Sequence, residues 1–294
     1  MDRDRFSRIV VSFLFLLGAK LFAAEIRVVG SDLLGPGFKA AVAEFSRANE
    51  SPVVLDLRGT RPGLDALRAG RADIGLFIFP PGESPPGDPF RPRPIGYQTV
   101  VVLVPVAVPV TQITVDQLRG VFAKAVAIPL ERWGDLGVTG DARVRAIALH
   151  AIAPGSSLAL PLFRRVVLQD SDFKATIEYG DTVDVLLARI RNADNAMGLV
   201  AALPKTPPGL RVLSVAINSS EAAFAPTPET LHAGDYPFRL PLYLVFQPAE
   251  TPRLLRFLKF LVSEECASRL RAAHFVPLPI ATREQAALEF ELLR

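Results

Sequence analysis

Three short stretches set a glycine beside hydroxyl or charged side chains, each just where an apolar run gives way to helical spacing: Gly30-Ser31-Asp32, Gly59-Thr60-Arg61 and Gly155-Ser156-Ser157. At the carboxyl end of a strand, the next helix offers unpaired N–H groups and the positive end of its dipole; Ser and Thr hydroxyls add further donors. That chemistry suits a small oxyanion. The same residue types are also ordinary helix N-caps, their side-chain oxygens accepting from an amide two or three residues on. For any one turn taken alone, capping is the commoner use.

Catalytic constellations are sparse. There is no G-x-S-x-G elbow, no phosphate-binding P-loop and no G-x-G-x-x-G dinucleotide fingerprint. His150 precedes Ser156 by six residues, yet no third triad member or oxyanion motif accompanies the pair, so a serine hydrolase is disfavoured. His150, His232 and His274 lie far apart, and Cys266 is the only cysteine, so neither a zinc site nor an internal disulfide is expected. Carboxylates beside Cys266, in Ser263-Glu264-Glu265-Cys266, would raise rather than lower its thiol pKa, which marks it as structural. The expectation is a binding protein, not an enzyme, with no cofactor.

The elements around the three turns alternate. Residues 26–29 read as a strand; Phe38, Val42 and Phe45 then follow at helical spacing. Residues 53–57 read as a second strand, a helix carrying Leu64 and Leu67 ends at Gly70, and residues 74–79 read as a third strand. Strand, helix, strand, helix, strand within about 55 residues implies parallel βαβ units with right-handed crossovers. Residues 80–94 hold seven prolines and read as a surface excursion. The valine-rich run 95–104 is long enough to pass from one domain to another, and 240–246 is the natural return. Between them, Thr114-Val115-Asp116-Gln117 spells a capping box at the head of a helix to about 123. Further strands are expected at 144–149 and 210–215, an extended stretch at 198–202, and helices after Ser157 to about 168, at 182–190, 252–262 and 265–272, before an extended 275–279. No internal repeat is visible.

Composition limits the partners. The chain has 294 residues, half of them apolar, enough for two domains with sizeable cores. Residues 1–24 read as a secretory signal: Arg3, Arg5 and Arg8, then an apolar run over 9–19, then small residues before Glu25. That segment carries four of the 33 basic and two of the 30 acidic side chains, so the remainder is nearly neutral at +1. Nothing here favours nucleic acid. Export with a single cysteine points to the periplasm.

In order along the chain, Gly30-Ser31-Asp32-Leu33-Leu34-Gly35-Pro36, Gly59-Thr60 with Gly63-Leu64-Asp65-Ala66-Leu67, Gly70-Arg71-Ala72-Asp73-Ile74-Gly75, Pro94-Ile95-Gly96, residues 115–122, Trp133-Gly134-Asp135-Leu136-Gly137, residues 235–243 and Phe275-Val276-Pro277-Leu278 form one pattern. It resembles the type-II periplasmic solute-binding proteins, most closely the phosphate-binding component of phosphate ABC transporters, over about residues 26–279. The resemblance implies an α/β fold of two lobes joined by two crossing strands acting as a hinge. One lobe would comprise residues 25–105 plus 235–294 and the other 106–234. It also implies a small, phosphate-like oxyanion held in the inter-lobe cleft and passed to a membrane ABC permease by a monomeric protein. The ligand-binding positions it assigns are Ser31, Asp32, Thr60, Arg61, His150, Gly155 and Ser156. Three positions depart from the family pattern: Leu33 stands for a Thr hydroxyl, Ile78 for an Asp, and His150 for an anion-clamping Arg. Losing charged partners weakens binding of a desolvated anion, so the expected affinity is below the family's, and rising acidity should favour binding if His150 faces the cleft. The alternative from another class is a transport-independent periplasmic sensor, scaffold or assembly protein on the same fold.

Overall fold

Continuous apolar runs become buried central strands, and amphipathic stretches become the helices that cover them. The structure, a computed structural model, describes residues 24–155 and 157–293. The expected signal segment therefore lies almost wholly outside the described residues, as does Ser156.

The first sheet is built from β1 (Ile26–Gly30), β2 (Val53–Asp56) and β3 (Ile74–Ile78), joined by α1 (Gly35–Ala48) and α2 (Thr60–Arg68). The chain then runs through β4 (Arg91–Thr99) into β5 (Val101–Pro105), leaving the first sheet for the second at Val100. The second lobe holds β6 (Gln112–Thr114), α3 (Val115–Phe122), β7 (Ala148–Ile152), α4 (Ala159–Val166), β8 (Glu178–Gly180), α5 (Val183–Asn192), β9 (Ala196–Val200), β10 (Leu210–Val212), β11 (Ser214–Ala216) and α6 (Pro228–Ala233). The return is β12 (Arg239–Phe246), followed by α7 (Thr251–Leu261), α8 (Glu264–Ala272), β13 (Val276–Pro277) and α9 (Ile280–Leu292).

Six strands in the order β13-β4-β12-β3-β1-β2 form one sheet and five in the order β10-β5-β9-β7-β8 the other; β6 and β11 pair separately. β1 is parallel to β2 and β3, and β7 to β8 and β9, as βαβ units require. β12 runs antiparallel to both β3 and β4, so the return strand lies in the middle of the first sheet. One buried apolar cluster extends from Ile26, Phe38 and Leu76 through Val100 and Leu240 to Leu149 and Phe163, and so runs through both lobes. At the crossing, the Tyr236 hydroxyl donates to the Val100 carbonyl (2.7 Å) and the Thr99 hydroxyl to that of Phe238.

The βαβαβ start, the capping box and most second-lobe helices lie as expected; the Thr114 hydroxyl accepts from Gln117 N–H at 3.1 Å and Gln117 Oε1 from Thr114 N–H at 2.9 Å. The proline-rich excursion ends sooner than expected, because β4 starts at Arg91 and takes in Pro92 and Pro94, opposite Val245 and Tyr243. β13 reaches only Tyr97 and Gly96, so these prolines sit on an edge where a missing N–H costs no ladder bond. The strand expected at 144–149 lies instead at Ala148–Ile152, after a 3-10 turn over Gly140–Val144. This moves His150 from the end of a strand to its middle. The helices α6 and α9 had no clear sequence pattern: α6 is one and a half turns long, and α9 buries Arg283 while exposing Leu288 and Leu292.

Candidate functional site

The first turn packs backbone against backbone. An added Cβ at Gly30 would sit 2.2 Å from the Leu76 carbonyl oxygen, which makes this a glycine position. Ser31, 4 % exposed, donates its N–H to that carbonyl (2.9 Å), and its hydroxyl accepts from Leu33 N–H (3.3 Å). Asp32 is exposed at the head of a short 3-10 turn, Asp32–Leu34, that leads into α1. Leu33 packs half-buried against the main apolar cluster.

The second turn is tied to the first, since Gly59 N–H donates to the Gly30 carbonyl at 2.8 Å. Gly59 precedes α2 at φ +121°, a conformation that favours glycine. The Thr60 hydroxyl donates to the Ile78 carbonyl (2.9 Å) and accepts from Ile78 N–H (3.2 Å), clasping the end of β3. Arg61 pairs with Glu83 at 2.8 Å and Arg58 with Asp56, all on the surface. Phe77 and Phe79 lie beneath α2 with Val29, Leu67 and Phe90, on the sheet face opposite Ile78, so these rings belong to a local core.

The third turn belongs to the second lobe. Gly155 has φ +91°, and the Ser157 hydroxyl accepts from Ala159 N–H (3.2 Å) at the head of α4. Leu158 N–H donates to Oε1 of Gln98 (3.1 Å), a β4 residue only 3 % exposed. Gln98 was not singled out from sequence, although an amide inside an apolar crossing strand is a visible anomaly: a buried polar group needs a partner. It couples the third turn to the crossing itself.

His150 lies elsewhere. It shares the α5 side of its sheet with Ile152, which packs on Leu186, Leu187 and Ile190. It pairs across the ladder with Glu178, whose carboxylate is 3.5 Å from Nδ1, too poorly placed for a hydrogen bond; Nδ1 has no partner among the described residues. Burial lowers its pKa below the ordinary value of 6.5, Glu178 partly opposes that, and Arg189 of α5 reinforces it. The lowered value sets the sign of a pH effect. Above pH 6.5 folded and unfolded chains both hold a neutral imidazole; as pH falls from there, the unfolded chain binds the proton first, and stability declines until the folded value is passed. Urea titrations of wild type and His150→Gln across the mildly acidic range are expected to give the shallower pH slope in the variant. Equal slopes would mean that His150 titrates alike in both states.

Ser31, Thr60 and Ser157 thus serve the backbone, and each helix behind a turn has a proline in its first turn (Pro36, Pro62, Pro161), which removes one amide donor apiece. What this edge offers a solute is the remaining amides and dipole ends of α1, α2 and α4, with little side-chain charge. Among the described residues, no three His, Cys, Asp or Glu side chains cluster as a metal site would require, and no helix is long and apolar enough to cross a membrane.

Residues 22–265 match the model of the PBP superfamily domain. The fold is also that of solved binding proteins. A possible phosphate binding protein from Planctomyces limnophilus aligns with TM-score 0.67 and 18 % identity, covering 92 % of this chain and 99 % of that one. An ABC-type phosphate transport receptor from Vibrio cholerae aligns with TM-score 0.64 and 17 % identity, over 86 % and 100 % of the two chains. PstS from Borrelia burgdorferi aligns with TM-score 0.68 and 15 % identity, over 87 % and 99 %. No curated protein matches the sequence.

Proposed function

Because the chain belongs to the PBP superfamily, we propose that it is an exported solute-binding protein that takes a small oxyanion in the cleft between its two lobes and hands it to a membrane ABC permease. The lobes are residues 25–105 with 235–294, and residues 106–234, moving about the two crossings, with the end of the first crossing, β5, paired into the second lobe's sheet. The observation that carries this reading is the convergence of the Gly30–Ser31 and Gly59–Thr60 turns, joined by a direct backbone bond, at the strand ends where α1 and α2 begin. In this reading the third turn, which follows β7 at Gly155, supplies donors from the other lobe. Backbone amides do most of the holding, the Ser31 and Ser156 hydroxyls donate to the solute, Thr60, whose hydroxyl hydrogen goes to the Ile78 carbonyl, orients the second turn, and Asp32 and Arg61 line the rim. His150, 6 % exposed beneath α5 and beside Glu178, is left out of this set. Binding through amides without a buried guanidinium is weaker than binding with one.

A second reading, a sensor or scaffold that no longer transports, is favoured by the backbone bonds that occupy the Thr60 and Ser31 hydroxyls. Calorimetry of the mature protein against phosphate, sulfate, molybdate and a sugar phosphate separates the two. The transport reading expects saturable heat with at least one oxyanion, weakened about tenfold or more in Thr60→Ala, Ser156→Ala. No heat with any of the four supports the scaffold; tight binding untouched by the double substitution means that the site lies elsewhere.

A further inference from the structure

In the second lobe, β8, the first turns of α4 and the loop of residues 170–173 border a cavity of about 560 Å³. That volume is within the range of small-molecule sites. Two aromatic rings line it. Phe173 is held in place by stacking on Phe163, with centroids 5.8 Å apart and planes at 17°, and Tyr179 presents a ring 37 % exposed. Pro154, Leu160 and Pro161 complete the apolar walls. The Tyr179 hydroxyl has no hydrogen-bond partner among the described residues, and burial pushes its pKa up.

The polar rim is charge-balanced. Arg164 donates through Nε and Nη2 to the carbonyls of Asp170 and Ser171 (2.9–3.3 Å) and lies 3.5 Å from the Asp172 carboxylate. Arg165 pairs with Asp170. Of these groups Arg164, Asp170 and Asp172 line the cavity, so an anion would meet two carboxylates, and a cation would meet Arg164 beside carboxylates that Arg164 and Arg165 already engage. A neutral molecule meets neither penalty, and carboxylate oxygens that still have lone pairs free are strong acceptors for hydroxyl donors. A ring held by stacking, with a second ring beside it, next to such acceptors suits a ligand with an apolar face and hydroxyls round its edge.

We propose that this cavity is a second ligand site, separate from the cleft, that binds a neutral pyranose sugar. The C–H face of the sugar lies against Phe173 and Tyr179, and its hydroxyls bond to Asp172, Asp170 and the Tyr179 hydroxyl. Pro154 borders the third turn, so an occupied cavity adjoins the cleft without being part of it.

The test titrates the full mature protein, followed by NMR shifts, with methyl glucoside, N-acetylglucosamine and cellobiose, and with tryptamine as a cationic aromatic. The expected result is saturable sugar binding in the millimolar range, indifferent to added salt, weakened about tenfold in Tyr179→Ala and retained in Tyr179→Phe to within about threefold. Shifts should centre on residues 154–179, and saturating phosphate should leave the sugar titration unchanged. Tyr179 is a surface residue on an edge strand, and unfolding midpoints of both variants should match wild type. The proposal fails if no sugar saturates at tens of millimolar, if tryptamine binds more tightly than every sugar, if phosphate abolishes sugar binding, or if Tyr179→Ala binds as wild type does.

Discussion

Replacing Gly30 with alanine is expected to lower the unfolding free energy by about 3 kcal/mol, the upper end of the usual overpacking range. The new methyl would lie 2.2 Å from the Leu76 carbonyl oxygen and 2.9 Å from its carbon, both backbone atoms that no side-chain rotation can move aside. Relief requires β1 and β3 to part at the Gly30–Leu76 register, which also strains the Ser31 N–H bond to Leu76 and the Gly59 N–H bond to Gly30. One substitution thus loosens two of the three turns at the candidate site, and any solute affinity should fall with stability. Gly37→Ala is the control: its added methyl meets nothing within 4 Å, and inside α1 it should stabilise by about 0.5–1 kcal/mol. Urea denaturation decides the matter. A Gly30→Ala loss below about 1 kcal/mol would show that the strands can part at little cost.

Trp133→Ala is expected to cost about 3–5 kcal/mol, as large aromatic-to-alanine changes in cores do. Trp133 is 1 % exposed, and its indole N–H donates to the Asn195 carbonyl (3.2 Å), at the entry to β9. The turn that delivers it depends on Asp135, whose carboxylate accepts from Glu131 and Arg132 N–H at 2.8 and 2.9 Å, and on Gly137 at φ +84°. Those amides hold the Asp135 carboxyl below its ordinary pKa. The Trp-Gly-Asp-Leu-Gly segment that resembles the family pattern is therefore a scaffold for the second lobe. Because the main apolar cluster runs through both lobes, Trp133→Ala and Gly30→Ala should each shift one common transition and not split it in two. Trp133 is the only tryptophan, so circular dichroism is the probe. A loss under about 1.5 kcal/mol would mean that the site collapses around the missing ring.

What could be read from residue order alone was what local spacing controls. Phe38 and Val42 recur at the helical period and face the core in α1, and the run 74–78 is apolar throughout because both faces of β3 are covered. The Thr114–Gln117 box works within one turn of chain, so its bonds needed no distant partner. The order of such segments narrowed the fold to parallel βαβ units with two long crossings, and the motifs that resemble the periplasmic solute-binding proteins supplied the two lobes. The side chains at the candidate site were different, because their roles depend on chain segments 18 to 60 residues away. Thr60 became a clasp because β3 ends beside it, and Leu158 gained its acceptor because Gln98 crosses beneath the third turn. His150 was the sharpest case: a shift of the strand from 144–149 to Ala148–Ile152 put the residue in mid-strand, and pairing with Glu178 beneath α5 buried it on the helix-covered face. A strand's two faces are equivalent until packing chooses between them, and that choice is made by whichever helix covers each face, which no local pattern in the strand records.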